Sequence, residues 1–129
     1  SKQKENYNFH RLASLLASFG FNCIWLNDDV HGADLLALST EGDVFKVQLK
    51  GRLTFYNKYL NKNLYMAFPD NGGFYIYPHD LALKSFIKRF EQTTSWNEKG
   101  QYSMKLVTNA DSKHISDYFF DENSDLITF

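Results

Sequence analysis

The sequence predicts a mixed α/β fold, a sheet with a helix on each face. Three observations carry that prediction. An amphipathic stretch stands near the start and another after the middle, runs of strand-like residues lie between them, and two turn signals divide those runs into hairpins. A chain of 129 residues suits one domain with one core.

The first helix is expected over about Glu5 to Phe19, where Phe9, Leu12, Leu16 and Phe19 recur at helical spacing and Gly20 supplies the stop. "FNCIWL" reads as a strand, with Cys23 as a small core residue. "ADLLAL" and "VFKVQLK" read as a hairpin around Thr40-Glu41-Gly42. "NLYMAFP" and "GFYIYP" form another around "DNGG". "HDLALKSFIKRFEQ" is the second helix, with Leu81, Leu83, Phe86, Ile87 and Phe90 as its apolar face and Asp80 as its N-cap. "QYSMKLV" is a last strand and "SKHISDYFF" a short third helix. The core is expected over about residues 5–91, with residues 92–129 as a C-terminal extension.

Net charge is −1, which argues against a wholly basic nucleic-acid binder. The distribution is uneven. Between Lys46 and Leu64 stand Lys46, Lys50, Arg52, Lys58 and Lys62 with no acidic residue, a stretch suited to holding phosphate. Lys58 and Lys62 alternate with Tyr56, Tyr59 and Tyr65, which suits backbone contact and base stacking or, equally, packing beneath a strand. No apolar run approaches the ~18 residues of a membrane span, and the opening "SKQKENYNFH" lacks a secretory pattern. A soluble, cytoplasmic protein is expected. The lone cysteine allows no internal disulfide, and the four histidines show no zinc-type spacing. Ser14 and Ser18 have no His-Asp arrangement nearby, and no glycine-rich phosphate loop is present.

The first hairpin carries the chemistry. A three-residue loop with Gly42 in the left-handed position pairs Ser39 with Asp43. Counting back sets Asp34 opposite Gln48, with Lys50 diagonal to it on the same face. Phe45, Val47 and Leu49 point the other way. Glu5, four residues before Phe9, extends the buried stripe of the first helix and can reach toward the sheet. One carboxylate, an amide oxygen and the Leu49 carbonyl are oxygen donors suited to Mg²⁺ or Mn²⁺, with Glu5 as a second carboxylate. Lys50 supplies a positive charge for an attacking water or a developing phosphorane, and Arg52 a forked phosphate donor.

"GADLLAL…VFKVQLKGR" resembles the PD-(D/E)xK nuclease superfamily, the restriction-endonuclease-like fold. Asp34, Gln48 and Lys50 stand at the motif positions, and Glu5 matches the first-helix glutamate of many members, junction resolvases among them. The Gln-containing form looks most like a branch with some homing endonucleases and a transposase cleavage subunit. The resemblance covers roughly Glu5 to Phe90. It implies a four-stranded mixed core sheet flanked by helices in the order αβββαβ, and a prokaryotic, archaeal or phage setting. It also implies a Mg²⁺-dependent DNA endonuclease leaving 5′-phosphate ends. Its substrate would be duplex or branched DNA, with Lys46, Arg52, Lys58 and Lys62 as the DNA contacts. One site per chain suggests a homodimer or higher homo-oligomer. Ala33 stands where the family commonly has Pro. Gln48 replaces an acid and removes a negative charge, which opens a second reading: a catalytically inactive nuclease-fold subunit that binds DNA or serves assembly. A third reading places a small-molecule enzyme at His79-Asp80, a pair that otherwise closes a strand and starts a helix.

Overall fold

The computed structural model describes residues 1–105 and 109–129. Helix α1 spans Lys2–Ser18, capped by the Ser1 hydroxyl accepting from the Lys4 N–H. It starts three residues earlier than the apolar stripe alone indicates. Its end follows from Gly20, whose φ of 92° lets Gly20 N–H reach the Ala17 carbonyl and Phe21 N–H reach the Leu16 carbonyl. That pair of bonds is the Schellman arrangement.

Strands β1 (Asn22–Val30), β2 (Ala33–Leu38), β3 (Val44–Leu49), β5 (Leu64–Asp70), β6 (Gly73–Pro78) and β8 (Phe119–Phe120) form one sheet in the order β1-β2-β3-β5-β6-β8. Strands β4 (Leu53–Tyr56) and β7 (Gln101–Met104) pair separately. The main sheet therefore has six strands rather than four. It is mostly antiparallel, with β3 and β5 as its parallel pair. Both hairpins fold as read. Gly42 N–H donates to the Ser39 carbonyl and Ser39 N–H to the Asp43 carbonyl. Asn71 and Gly72, both with positive φ, turn β5 into β6 as a type I′ pair.

The order αβββαβ is not the order seen. A parallel pair needs a crossover of about a dozen residues or more, usually helical. Here the crossover from β3 to β5 consists of β4 and a 3-10 turn over Asn57–Tyr59. Tyr77 pins that segment, its hydroxyl donating to the Thr54 carbonyl and accepting from the Thr54 N–H. Helix α2 (His79–Phe90) follows β6 instead.

Alternation along β5 and β6 separates two cores. Ala67, Phe74 and Ile76 face one way and pack with Leu12 and Leu16 of α1. Leu64, Met66, Phe68, Tyr75 and Tyr77 face the other way and pack with Leu83, Phe86 and Phe90 of α2. A helix therefore covers each face. The residues expected as an extension belong to these cores. Ile115 is buried on the α2 side, Phe120 and Ile127 on the α1 side, and Phe129 stacks on Phe45.

Other differences are local. Leu81 is exposed, because the apolar face of α2 runs through Ala82, Leu83, Phe86 and Phe90. Asp80 does not cap α2, since its carboxylate is taken by His79 and by the Asn61 N–H. Cys23 is only partly buried, and the apolar surroundings push its thiol up to about 11. The expected third helix is instead a helical turn α4 (Asn109–Lys113), a 3-10 turn (Ser116–Tyr118) and β8. A short helix α3 (Thr94–Lys99), capped by Thr93, precedes β7. The Leu106 and Val107 end of the "QYSMKLV" strand lies outside the described residues. No helix is long and apolar enough to cross a membrane, among the described residues.

Candidate active site

The β2–β3 register runs Leu35 to Val47, Leu36 to Lys46, Ala37 to Phe45. One pair further sets Asp34 against Gln48, as the turn implies. The ladder changes there: the Leu49 N–H donates 3.0 Å to Asp34 Oδ2 rather than to a strand carbonyl. On the other side of β3, the Lys50 N–H donates 2.8 Å to the Ala67 carbonyl, holding the lysine backbone to β5. The β1–β2 pairing loses its register between Trp25 and Val30, and the chain then turns through His31 and Gly32, both with positive φ. Asp29 Oδ1 accepts the Gly32 N–H at 2.7 Å and closes that turn. A Cβ on Gly32 would stand 3.2 Å from Leu64 and 3.4 Å from Tyr59, so glycine is needed twice over, for conformation and for room.

These features open a cleft of about 420 Å³. Glu5, Asp34, Gln48, Leu49 and Lys50 all line it, so the five residues predicted from three separate stretches meet at one place. Reasoning from sequence missed Asn8 and Asp29, which also line it. Asn8 had a legible signal: it lies three residues after Glu5 and four before Leu12, on the buried stripe, and is itself buried. Asp29 had none, because its place depends on the irregular end of β1.

The electrostatics are those of crowded acids. Burial is the chief cause that raises the Asp34 carboxyl above its ordinary range, with Asp29 and Glu5 adding repulsion; the Leu49 N–H and Lys50 act against it. Gln48 is 7% exposed, and its Oε1 is buried with no hydrogen-bond partner among the described residues. A buried acceptor left without a partner costs about 1–3 kcal/mol, so this oxygen is poised for a ligand. The Lys50 ammonium stands 5.8 Å from the centre of the Tyr59 ring. Among the described residues no three His, Cys, Asp or Glu side chains gather closely enough to hold a metal ion by themselves. The cleft is lined instead by carboxylate residues, Glu5, Asp29 and Asp34, and by the amide residue Gln48.

The predicted phosphate contacts are not part of this cleft. Lys46 lies mid-strand opposite Leu36. Arg52 Nε and Nη2 both donate to Ser103 Oγ, at 3.0 and 2.8 Å. Lys58 stands over the Tyr56 and Tyr59 rings, at 5.0 and 6.0 Å. Lys62 passes near the Gly32 turn. Tyr59 is buried in the α2-side core and takes the packing role rather than base stacking.

His79 is fully buried, and its ring is fully engaged. The Tyr56 N–H donates to Nε2 at 3.1 Å, so the ring proton resides on Nδ1 and is donated to Asp80 Oδ1 at 2.8 Å. Asp80 Oδ2 accepts the Asn61 N–H at 2.9 Å. The pair clamps both ends of the 3-10 turn and lines no cleft among those described. No family model, curated protein or solved structure matches the chain.

Proposed function

We propose that the protein is a Mg²⁺-dependent DNA endonuclease whose centre is the Asp34, Gln48 and Lys50 cleft. The observation that carries this reading is the buried Gln48 Oε1, without a partner among the described residues, in a cleft it shares with Asp34, Glu5 and Lys50. A hard divalent cation answers both irregularities at once. It offers the amide oxygen a partner and offsets the repulsion around Asp34. Asp34, Gln48, the Leu49 carbonyl and Glu5 would hold it, a donor set suited to Mg²⁺ or Mn²⁺, which take one or two carboxylates and keep several waters. Bound there, the cation supplies Lewis-acid polarisation of a phosphoryl oxygen and a more acidic water. The chain's own residues do the rest. The Leu49 N–H orients Asp34, and β5 holds the Lys50 backbone so that its ammonium offsets charge developing on the phosphate. The leaving group departs as a 3′-hydroxyl, leaving a 5′-phosphate. One centre cuts one strand, so cutting both strands of a duplex or a symmetric junction calls for a homodimer.

The neutral Gln48 supports a second reading, a nuclease-like subunit that binds DNA or serves assembly without cutting it. Calorimetry with Mn²⁺ and Mg²⁺ on wild type and Asp34→Ala separates the two, run beside cleavage assays on duplex and branched oligonucleotides. Metal binding lost in the variant, with cut DNA in wild type, is the expected result. No metal binding with or without DNA would sink the nuclease reading and leave the subunit.

A further inference from the structure

The chain has seven glycines. Five have positive φ: Gly20, Gly32, Gly42, Gly72 and Gly100. Gly73 is enclosed, for a Cβ there would stand 2.5 Å from the Phe120 carbonyl oxygen. Gly51 has neither reason. Its φ lies outside the left-handed region, it is exposed, and a Cβ would meet nothing within 4 Å among the described residues. Glycine also costs backbone entropy on folding. A glycine that neither the fold nor packing requires leaves bare backbone that another molecule can approach closely.

Its position says which molecule. Gly51 lines the cleft described above, together with Lys50. It also lines a second depression of about 380 Å³, where Arg52 and Lys105 stand with one carboxylate, Asp70. The two depressions meet at Gly51, with Lys50 on one side and two cations on the other. Ser103 holds the Arg52 fork from β7, so that cation is fixed rather than free to swing.

We infer that Gly51 is the bare saddle of one continuous groove, and that a single phosphodiester strand crosses it from Lys50 to Arg52 and Lys105. The inference rests on the nucleic-acid reading for its occupant and adds the strand's path, with Lys105 as a new contact. Backbone phosphate is the fitting ligand: cations line the depressions on both sides of Gly51, and the approach needs no side-chain pocket.

The test uses the whole chain and fluorescent oligonucleotides of about 4 and about 16 nucleotides, single-stranded and duplex, spanning the usual range of strand site sizes. Binding is read by anisotropy with Ca²⁺ in place of Mg²⁺, across a salt series. Gly51→Leu puts a side chain on the saddle, where its Cβ has open space among the described residues, so its melting temperature should not fall below that of wild type. It should weaken the longer oligonucleotide about tenfold or more by barring the crossing, and the shorter one much less. Lys105→Ala should lower the salt slope by about 0.7 for single strands or about 0.9 for duplex, one phosphate contact. The two substrate forms tell whether the strand arrives alone or as part of a duplex, and a loss with either form supports the groove. Wild-type affinity and slope in both variants would overturn it, as would a wild type that binds no oligonucleotide. Cleavage is scored separately. Binding lost in the variants of a protein that never cuts keeps the groove and sinks the nuclease. Cleavage with unaffected variants does the reverse.

Discussion

Two polar clusters approach the Tyr59 ring, one through the Lys50 ammonium at 5.8 Å and one through the His79 ring at 5.7 Å, and they differ in one respect. In the His79-Asp80 cluster each ring nitrogen and each carboxylate oxygen has a hydrogen-bond partner. In the Asp34-Gln48 cluster a buried amide oxygen has none among the described residues, and the neighbouring carboxyl is raised by burial and repulsion. Both sit where a strand runs out, and both pair an acid with a second polar residue, so residue type does not tell them apart. Satisfaction does. A polar group whose bonds are complete is spent on the fold, whereas one left short in a cleft retains capacity for a ligand.

The largest effects should follow that division in opposite ways. Lys50→Ala removes a half-buried ammonium that has no salt-bridge partner among the described residues. It should lower cleavage by about 10² or more with little change in the urea midpoint. His79→Ala opens a cavity and removes the acceptor of the Tyr56 N–H, so it should cost about 2–4 kcal/mol of stability. His79→Ala protein held folded at low temperature should still bind Mn²⁺. Equilibrium unfolding and single-turnover cleavage on both variants check the pair. A Lys50→Ala protein that cuts at the wild-type rate would refute the site, and a His79→Ala protein as stable as wild type would refute the clamp.

The two clusters also differ in how legible they were. The hairpin could be read because its information is local. A three-residue loop ending in Gly42 fixes the register, and alternation along "ADLLAL" and "VFKVQL" carries it back to Asp34 and Gln48. Gly20 and the Asn71-Gly72 turn were legible for the same reason. What escaped depends on distant partners. "LTFY" follows the hairpin with no pattern of its own and becomes a strand by pairing with residues 101–104. Asp80 follows the local rule for an N-cap, yet a tertiary partner, the Asn61 N–H, takes its carboxylate. Phe129 seals the α1-side core against Phe45 from the far end of the sequence. Five of the six main-sheet strands were therefore read along the chain, whereas β4 and β8, which exist only through distant pairing, were not; Glu5, Asp34, Gln48, Leu49 and Lys50 line one cleft, while Lys46, Arg52, Lys58 and Lys62 lie outside it.

A smaller effect sharpens the contrast. Gln48→Leu keeps most of the side-chain volume and removes the stranded oxygen. In a finished cluster such a change would break bonds and destabilise. Here it should leave stability unchanged or raise it by about 1 kcal/mol, since removing an unsatisfied acceptor relieves its desolvation penalty. The same variant should lose Mn²⁺ affinity. A destabilised Gln48→Leu protein would mean that Oε1 has a structural partner after all.

The smallest effects are those of pH, and the two clusters should pull in opposite directions. Burial lowers the His79 imidazolium below its ordinary 6.5, although the Asp80 hydrogen bond and charge act the other way. Below pH 6.5 the unfolded chain takes up a proton that the folded chain still refuses, so this cluster loses stability as pH falls through that window. Protonation would also remove the acceptor that holds the Tyr56 N–H. Asp34 is raised above its ordinary 3.8, so the folded chain binds the proton first, and stability recovers as pH falls toward 3.8. Urea titrations of wild type, His79→Gln and Asp34→Asn at several pH values separate the two. The advantage of wild type over His79→Gln should shrink below pH 6.5. Asp34→Asn should exceed wild type near neutrality, with the gap closing in acid. Adding Mg²⁺ at neutral pH should close the same gap from the other side, because the cation stabilises only the chain that still carries the carboxylate. A gap that ignores both acid and Mg²⁺ would mean that the crowding around Asp34 is not electrostatic.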